Sequence, residues 1–167
     1  MHMKAFITGI AGFAGSHLAE YLLAHTDLEV QGVILPQFGT ANLDAIQDRL
    51  TLHEGDVGDF QRVLTLLRQA QPDLIFHLAA QAAPSLSLLQ PGETLTNNII
   101  GQLNILAAAV HLDMKPRILV IGSADEYGLV KPEELPVNET NPFRPINPYS
   151  VSKIAQDFLG YQYFLSH

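Results

Sequence analysis

Three glycines near the start of the chain constrain its fold more than any other feature: Thr8-Gly9-Ile10-Ala11-Gly12-Phe13-Ala14-Gly15-Ser16. A short apolar run, Lys4 to Thr8, precedes them. From Ser16 to Ala24 the residues Leu18, Tyr21 and Leu22 recur at helical spacing. A strand that turns through glycine straight into a helix opens a β-α-β unit. Gly9 permits a tight turn, Gly12 lets the main chain approach a bound group, and Gly15 lets the helix pack close to the sheet. The helix start then presents N–H groups and a partial positive charge to an anion. The spacing Gly-x-x-Gly-x-x-Gly differs by one residue from the Gly-x-Gly-x-x-Gly loop that cradles a dinucleotide pyrophosphate. The same physics makes Gly9, Gly12, Phe13, Ala14 and Gly15 the expected phosphate cradle.

The rest of the chain repeats the alternation. Strands are expected at Glu29 to Leu35, Leu50 to His53, Leu74 to Leu78 and Arg117 to Ile121. Between them, Asn42 to Asp48 reads as a short helix. Asp59 is a good N-cap for a helix to Gln69 carrying Phe60, Val63, Leu64 and Leu67. A loop with Pro84 and Pro91 leads to a long helix from Glu93 to Leu112, and a last helix spans Tyr149 to Phe164. Five mostly apolar strands alternating with helices predict an α/β, Rossmann-like, doubly wound parallel sheet. Residues 128–148 carry prolines without helical or strand period, and long connections of that kind are usually functional or disordered.

Composition narrows the function classes. With 167 residues, 47% of them apolar and 16% charged, the chain is sized for about one packed domain. A net charge of −8 with nine Lys and Arg lacks the basic footprint of a nucleic-acid binder. There is no cysteine, hence no disulfide framework and no thiolate nucleophile. The histidines at 2, 17, 25, 53, 77, 111 and 167 show no metal-ligand spacing on one helical face and read as structural or surface residues, so no metal is expected. No apolar run of about 18 residues suggests a membrane span. The opening Ala5-Phe6-Ile7 is too short for a signal peptide, so a cytoplasmic location is expected. Met1-His2-Met3 reads as a start that includes a cloning remnant.

Tyr149-Ser150-Val151-Ser152-Lys153 places a Tyr and a Lys four apart, on one side of a helix. A lysine cation beside a phenol favours the phenolate, and such a phenol can pass a proton to or from a sugar hydroxyl or ketone. Ser123, in Gly122-Ser123-Ala124-Asp125-Glu126-Tyr127-Gly128, stands at the carboxyl end of the fifth strand, the side on which open α/β sheets bind ligands. Its hydroxyl can bond the same reacting oxygen as Tyr149. Asn98, on the long helix, is placed to hold a water or brace Lys153. At the end of the second strand, Leu35-Pro36-Gln37 offers neither the carboxylate that would bind a ribose 2′-OH nor an Arg for a 2′-phosphate. NAD and NADP both stay open, and the missing carboxylate removes a repulsion against NADP.

Together these motifs resemble the extended short-chain dehydrogenase/reductase family, the NAD(P)-dependent sugar-nucleotide epimerases and dehydratases. The matching stretches are Gly9-x-x-Gly12-Phe13-x-Gly15, Gly55-Asp56-Val57, His77-Leu78-Ala79-Ala80-Gln81, Asn98-Ile99-Ile100-Gly101, Ser123 to Gly128, and Asn147-Pro148-Tyr149-Ser150-Val151-Ser152-Lys153. The resemblance implies that Asp56 and Val57 hold the adenine and that Leu78, Ala79 and Ala80 line the cofactor's path. It implies Asn98, Tyr149 and Lys153 as further cofactor contacts, with Lys153 on the nicotinamide ribose. Ser123, Tyr149 and Lys153 are implied as the catalytic set, and Ser87 as a sugar contact.

Ile121 to Gly128 and Pro142-Phe143-Arg144-Pro145 are most similar to the branch of GDP-mannose 4,6-dehydratases and GDP-4-keto-6-deoxy-mannose reductases. In the dehydratases a Glu two positions before the Tyr-Gly pair is the acid–base that eliminates water. Asp125 stands there, one methylene or about 1.5 Å shorter, with Glu126 beside it as a candidate substrate contact. That departure favours the reductase, which needs hydride from the cofactor and a proton from Tyr149. Elimination by Asp125 or Glu126 stays open. Family members run to roughly twice this length, so residues 1–167 are expected to be an incomplete NAD(P)-binding domain, ending after the fifth strand and the Tyr-Lys helix, without the substrate domain. A non-catalytic nucleotide-binding module is the other reading. An uncovered edge beside the fifth strand predicts a homo-oligomer.

Overall fold

The computed structural model describes residues 3–167. Met1 and His2, of the opening Met1-His2-Met3 expected to include a cloning remnant, lie outside them. The chain forms two compact units. One comprises residues up to Ala79 together with Gly101–Val120, and the other Ala80–Ile100 with Ile121–His167.

The first unit holds a five-stranded, wholly parallel sheet: β1 (Lys4–Thr8), β2 (Glu29–Ile34), β3 (Thr51–Glu54), β4 (Leu74–His77) and β5 (Arg117–Val120), in the order β3-β2-β1-β4-β5. Register is fixed by pairs such as Phe6 with Gln31 and with Ile75. Strand alternation sends Phe6, Val33 and Ile75 to one face. There they pack on α2 (Phe60–Ala70) and α5 (Gly101–His111) through Val63, Leu67, Ile105 and Ala108. Ala5, Ile7 and Val30 face the other way, onto Ala19 and Leu22 of α1 (Phe13–His25) and onto Leu43 and Ile46. Each fully buried Phe, Ile or Leu contributes roughly 1.5–3 kcal/mol of transfer free energy. Strand order reverses between β1 and β4, so the carboxyl ends of these two strands form the crevice where such sheets take ligands.

Asp59 caps α2 as its sequence position predicts, accepting from the N–H groups of Gln61 at 2.9 Å and Arg62 at 3.1 Å. Asp59→Ala is therefore expected to lower stability by about 1 kcal/mol, read as a shifted urea midpoint at unchanged slope. The expected helix at Asn42 to Asp48 is instead two 3-10 turns, Ala41–Leu43 and Gln47–Arg49.

The second unit is helical: α3 (Pro84–Leu89), α4 (Pro91–Leu95) and α6 (Pro148–Ser166), with a π turn at Thr96–Ile100. The single long helix expected from Glu93 is thus interrupted, and its approach is helical from Pro84 rather than a loop. Pro84 and Pro91, which suggest a break in sequence, each sit in the first turn, where a missing N–H costs nothing. Residues 128–148 form an ordered strap. The Arg144 guanidinium forks onto Glu134 at 2.6 Å from both nitrogens and also reaches the Leu129 carbonyl at 3.0 Å. This pairing, together with the Lys131 N–H, holds the Glu134 carboxyl down at about 2.

Candidate active site

The cradle in the first unit is built from main chain. Gly9 takes a left-handed conformation, φ +69°, and a Cβ there would stand 3.0 Å from the Ala79 backbone. Gly15 touches the turn itself: its Cβ would overlap the Gly9 carbonyl oxygen and lie 2.8 Å from Ile10 Cα. The turn closes with Gly12 N–H on Gly9 O at 3.0 Å. Gly12 is the N-cap of α1, and neither a capping side chain nor an acidic residue occupies that helix end. By helix geometry the N–H groups of Phe13, Ala14 and Gly15 have no intrahelical acceptor. A cradle of bare N–H groups at a positive dipole end, with no room for side chains, fits a pyrophosphate.

Three neighbours brace it. Thr8 Oγ1 accepts the Ala79 N–H at 3.0 Å and lies 2.8 Å from His77 Nδ1. This knot ties the ends of β1 and β4 together at the crevice and sets where Leu78 and Ala79 pass Gly9. Asn42 donates to the Ala11 carbonyl at 2.9 Å, holding the glycine loop from 31 residues away. The segment expected at the adenine is also fixed. Asp56 Oδ1 accepts the Gly58 N–H at 2.7 Å, and Asn104 Nδ2 holds the carbonyls of Val57 and Gly58 at 2.8 and 2.9 Å. Thr8, Asn42 and Asn104 are absent from the sequence-derived site. Their bonds span long sequence separations and leave no local pattern.

The second unit brings Ser123, Tyr149 and Lys153 onto two adjoining elements. Asn147 caps α6, accepting Ser150 N–H at 2.8 Å, and Pro148 opens its first turn, so Tyr149 and Lys153 start a rigid helix. Both are buried. The Lys153 ammonium donates to the Ile121 carbonyl at 3.0 Å and lies 5.9 Å from the Tyr149 ring centroid. Burial pulls its pKa down and Glu126 partly restores it. Ser123 is the N-cap of the 3-10 turn Ala124–Glu126, its Oγ accepting the Asp125 N–H at 3.2 Å. That turn packs on α6.

The other expected site residues divide. Asn98 is fully buried in the π turn, its Oδ1 accepting Gln81 N–H at 2.8 Å and its Nδ2 donating to Gln81 O at 3.1 Å and Ser152 Oγ at 2.8 Å. The Ser152 hydroxyl donates onward to Tyr149 O at 2.6 Å, so Asn98 braces the helix start through a residue the sequence did not single out. Ser87 is fully buried, its hydroxyl donating to Pro84 O at 2.6 Å within α3. Ala80 is exposed and Asp125 half-buried, whereas Glu126 is buried with its carboxylate on the Ser123 N–H. Among the described residues no His, Asp or Glu cluster forms a metal site, and no helix is long and apolar enough to cross a membrane.

The family model described as GDP-mannose 4,6 dehydratase matches residues 6–167. The chain belongs to that family. It is 36% identical to the GDP-mannose 4,6-dehydratase of Yersinia enterocolitica, over 96% of this chain and 45% of that protein. It is 35% identical to the GDP-6-deoxy-D-mannose reductase of Pseudomonas aeruginosa, over 98% and 48%. Among solved structures, the NAD complex of Thermus thermophilus UDP-glucose 4-epimerase superposes with a TM-score of 0.87 at 33% identity, over 98% of this chain and 51% of the other. The NADPH complex of RMD from Pseudomonas aeruginosa gives 0.80 at 32%, over 98% and 50%. The chain of this family member thus spans about half the length of the curated relatives it matches. These relatives confirm the Rossmann-like α/β fold expected from the alternation of strands and helices.

Proposed function

We propose that the chain is the cofactor-holding and proton-transferring half of an NAD(P)-dependent oxidoreductase that reduces the 4-keto group of a GDP-activated deoxyhexose. The observation that carries the reading is the joint presence of a bare glycine cradle at the α1 N-terminus and a buried Tyr149–Lys153 pair beside Ser123. Gly9 to Gly15 would hold the pyrophosphate, Asp56 and Val57 the adenine end, and Lys153 the nicotinamide ribose. The cofactor, when bound, supplies the hydride. Tyr149 gives its phenolic proton to the carbonyl oxygen as it becomes an alkoxide. Ser123 Oγ donates a hydrogen bond to the same oxygen, and the Lys153 charge stabilises the phenolate left on Tyr149. Residues 35–38 carry no charge at the end of β2, which leaves NAD usable and imposes no repulsion on the 2′-phosphate of NADP.

The reductase is preferred to water elimination because only Asp125 is left as the acid–base. Its carboxylate is a methylene short, and the Glu126 carboxylate is turned inward onto Ser123. The dehydratase stays as the second reading on the strength of the family match. Incubation of the chain with NADPH or NADH and a GDP-4-keto-6-deoxyhexose should consume reduced nicotinamide and yield the GDP-deoxyhexose by mass spectrometry. A 4-keto product from GDP-mannose and NAD(P)+ would favour the dehydratase. Cofactor binding without turnover of either substrate would leave the nucleotide-binding module.

A further inference from the structure

We propose that Glu126 is a positioning residue of the proton-transfer site, holding Ser123 in place and supplying the negative charge that answers the buried Lys153 ammonium. The role rests on the proposed reading that Ser123, Tyr149 and Lys153 act on the substrate. Glu126 is only 6% exposed. Its Oε1 accepts the Ser123 N–H at 2.7 Å, while Ser123 Oγ accepts from the turn at Asp125. This reciprocal box fixes the main chain from which the Ser123 hydroxyl projects. The carboxylate fills its slot closely, since a Cβ on Gly122 would stand 3.1 Å from Oε1.

A carboxylate this buried persists only where hydrogen bonds and opposite charge answer it. The Ser123 amide is one answer; the other is the charge of the buried Lys153 ammonium, which is bonded 3.0 Å from the Ile121 carbonyl, two residues before Ser123, without a direct ion pair to Glu126. Burial raises the Glu126 pKa above its ordinary value; against it the Ser123 N–H lowers it, Asp157 raises it further, and Lys153, the smallest influence, lowers it. In return Glu126 raises that of Lys153 against the pull of burial. Lys153 and Asp157 both come from α6, the helix packed against the turn, and Asp125 lies on the turn itself. The strap meets Glu126 through main chain, Arg144 N–H to Glu126 O at 3.3 Å, its guanidinium being committed to Glu134. Glu126 thus touches Ser123 and acts on Tyr149 through Lys153, without contacting a reacting atom itself.

Two substitutions separate the two roles. Glu126→Gln keeps an oxygen acceptor and removes the charge, whereas Glu126→Ala removes both. The test uses the 167-residue chain with nitrogen-labelled lysine and amides, and Lys153→Arg assigns the Lys153 resonance. In Glu126→Gln the Lys153 ammonium should titrate at lower pH than in the unsubstituted chain, with Ser123 amide exchange nearly unchanged. In Glu126→Ala the same shift should come with roughly tenfold faster exchange at Ser123, the loss of one charge-assisted hydrogen bond. In the unsubstituted chain the Lys153 resonance should inflect at the midpoint of Glu126. An unmoved Lys153 midpoint in Glu126→Gln would overturn the proposal. So would a missing inflection in the unsubstituted chain, a result that stands even if both variants fail to fold. Neither readout uses cofactor or substrate, so failed turnover would remove the proposed reaction without touching this result.

Discussion

Substituting alanine for Gly15 is expected to weaken nicotinamide-nucleotide binding by roughly fivefold to a hundredfold, the equivalent of a 1–3 kcal/mol overpacking penalty. The added Cβ would overlap the Gly9 carbonyl oxygen and crowd Ile10 Cα. Both are main-chain atoms in the turn, so no side chain can swing away to relieve the contact. The turn must open, and the Phe13, Ala14 and Gly15 N–H groups then point away from the proposed phosphate position. Gly92→Ala is the matched control, because a Cβ at that position in α4 meets nothing within 4 Å. Calorimetric titration of both variants, with urea midpoints measured alongside, separates a lost site from a lost fold. Unchanged affinity in Gly15→Ala would remove the glycine loop from the cofactor site.

Tyr149→Phe should do the opposite. It leaves nucleotide binding in place and lowers ketone reduction by on the order of 10²–10⁴-fold, the usual worth of a positioned general acid. The ring is buried at the start of α6 and the substitution removes a single oxygen, so packing is preserved. The loss should fall on kcat rather than KM, because in the proposed reaction the phenolic proton is needed only as the alkoxide forms. A Phe variant that turned over at the parent rate would move the proton donor elsewhere.

The parts of this molecule that are legible in sequence are those with a local physical signature. A glycine loop between strand and helix, Asp59 before an apolar helix, and Tyr149 four residues from Lys153 all state their geometry within a few positions. The interruption at Thr96–Ile100 does not. Its cause is tertiary, the burial of Asn98 against Gln81 and Ser152, and no helical propensity records it. The strap is a similar case, since Arg144 and Glu134 pair across ten residues with no repeat. Ser123 and Glu126 are different: Ser-x-x-Glu is a capping-box signature, and it announces that the Glu carboxylate turns back onto the Ser amide rather than outward to a substrate. The cradle and the Tyr149–Lys153 helix are each formed within this chain.

The proposed chemistry stands on a nicotinamide dinucleotide held by the glycine loop. Amide chemical-shift mapping tests it most directly, with NADPH and NAD+ added in turn to the nitrogen-labelled chain. Saturable shifts are expected at Gly12, Phe13, Ala14, Gly15 and Ala79 with at least one of the two cofactors. Spectra that stay unchanged at those amides with millimolar concentrations of both would contradict it.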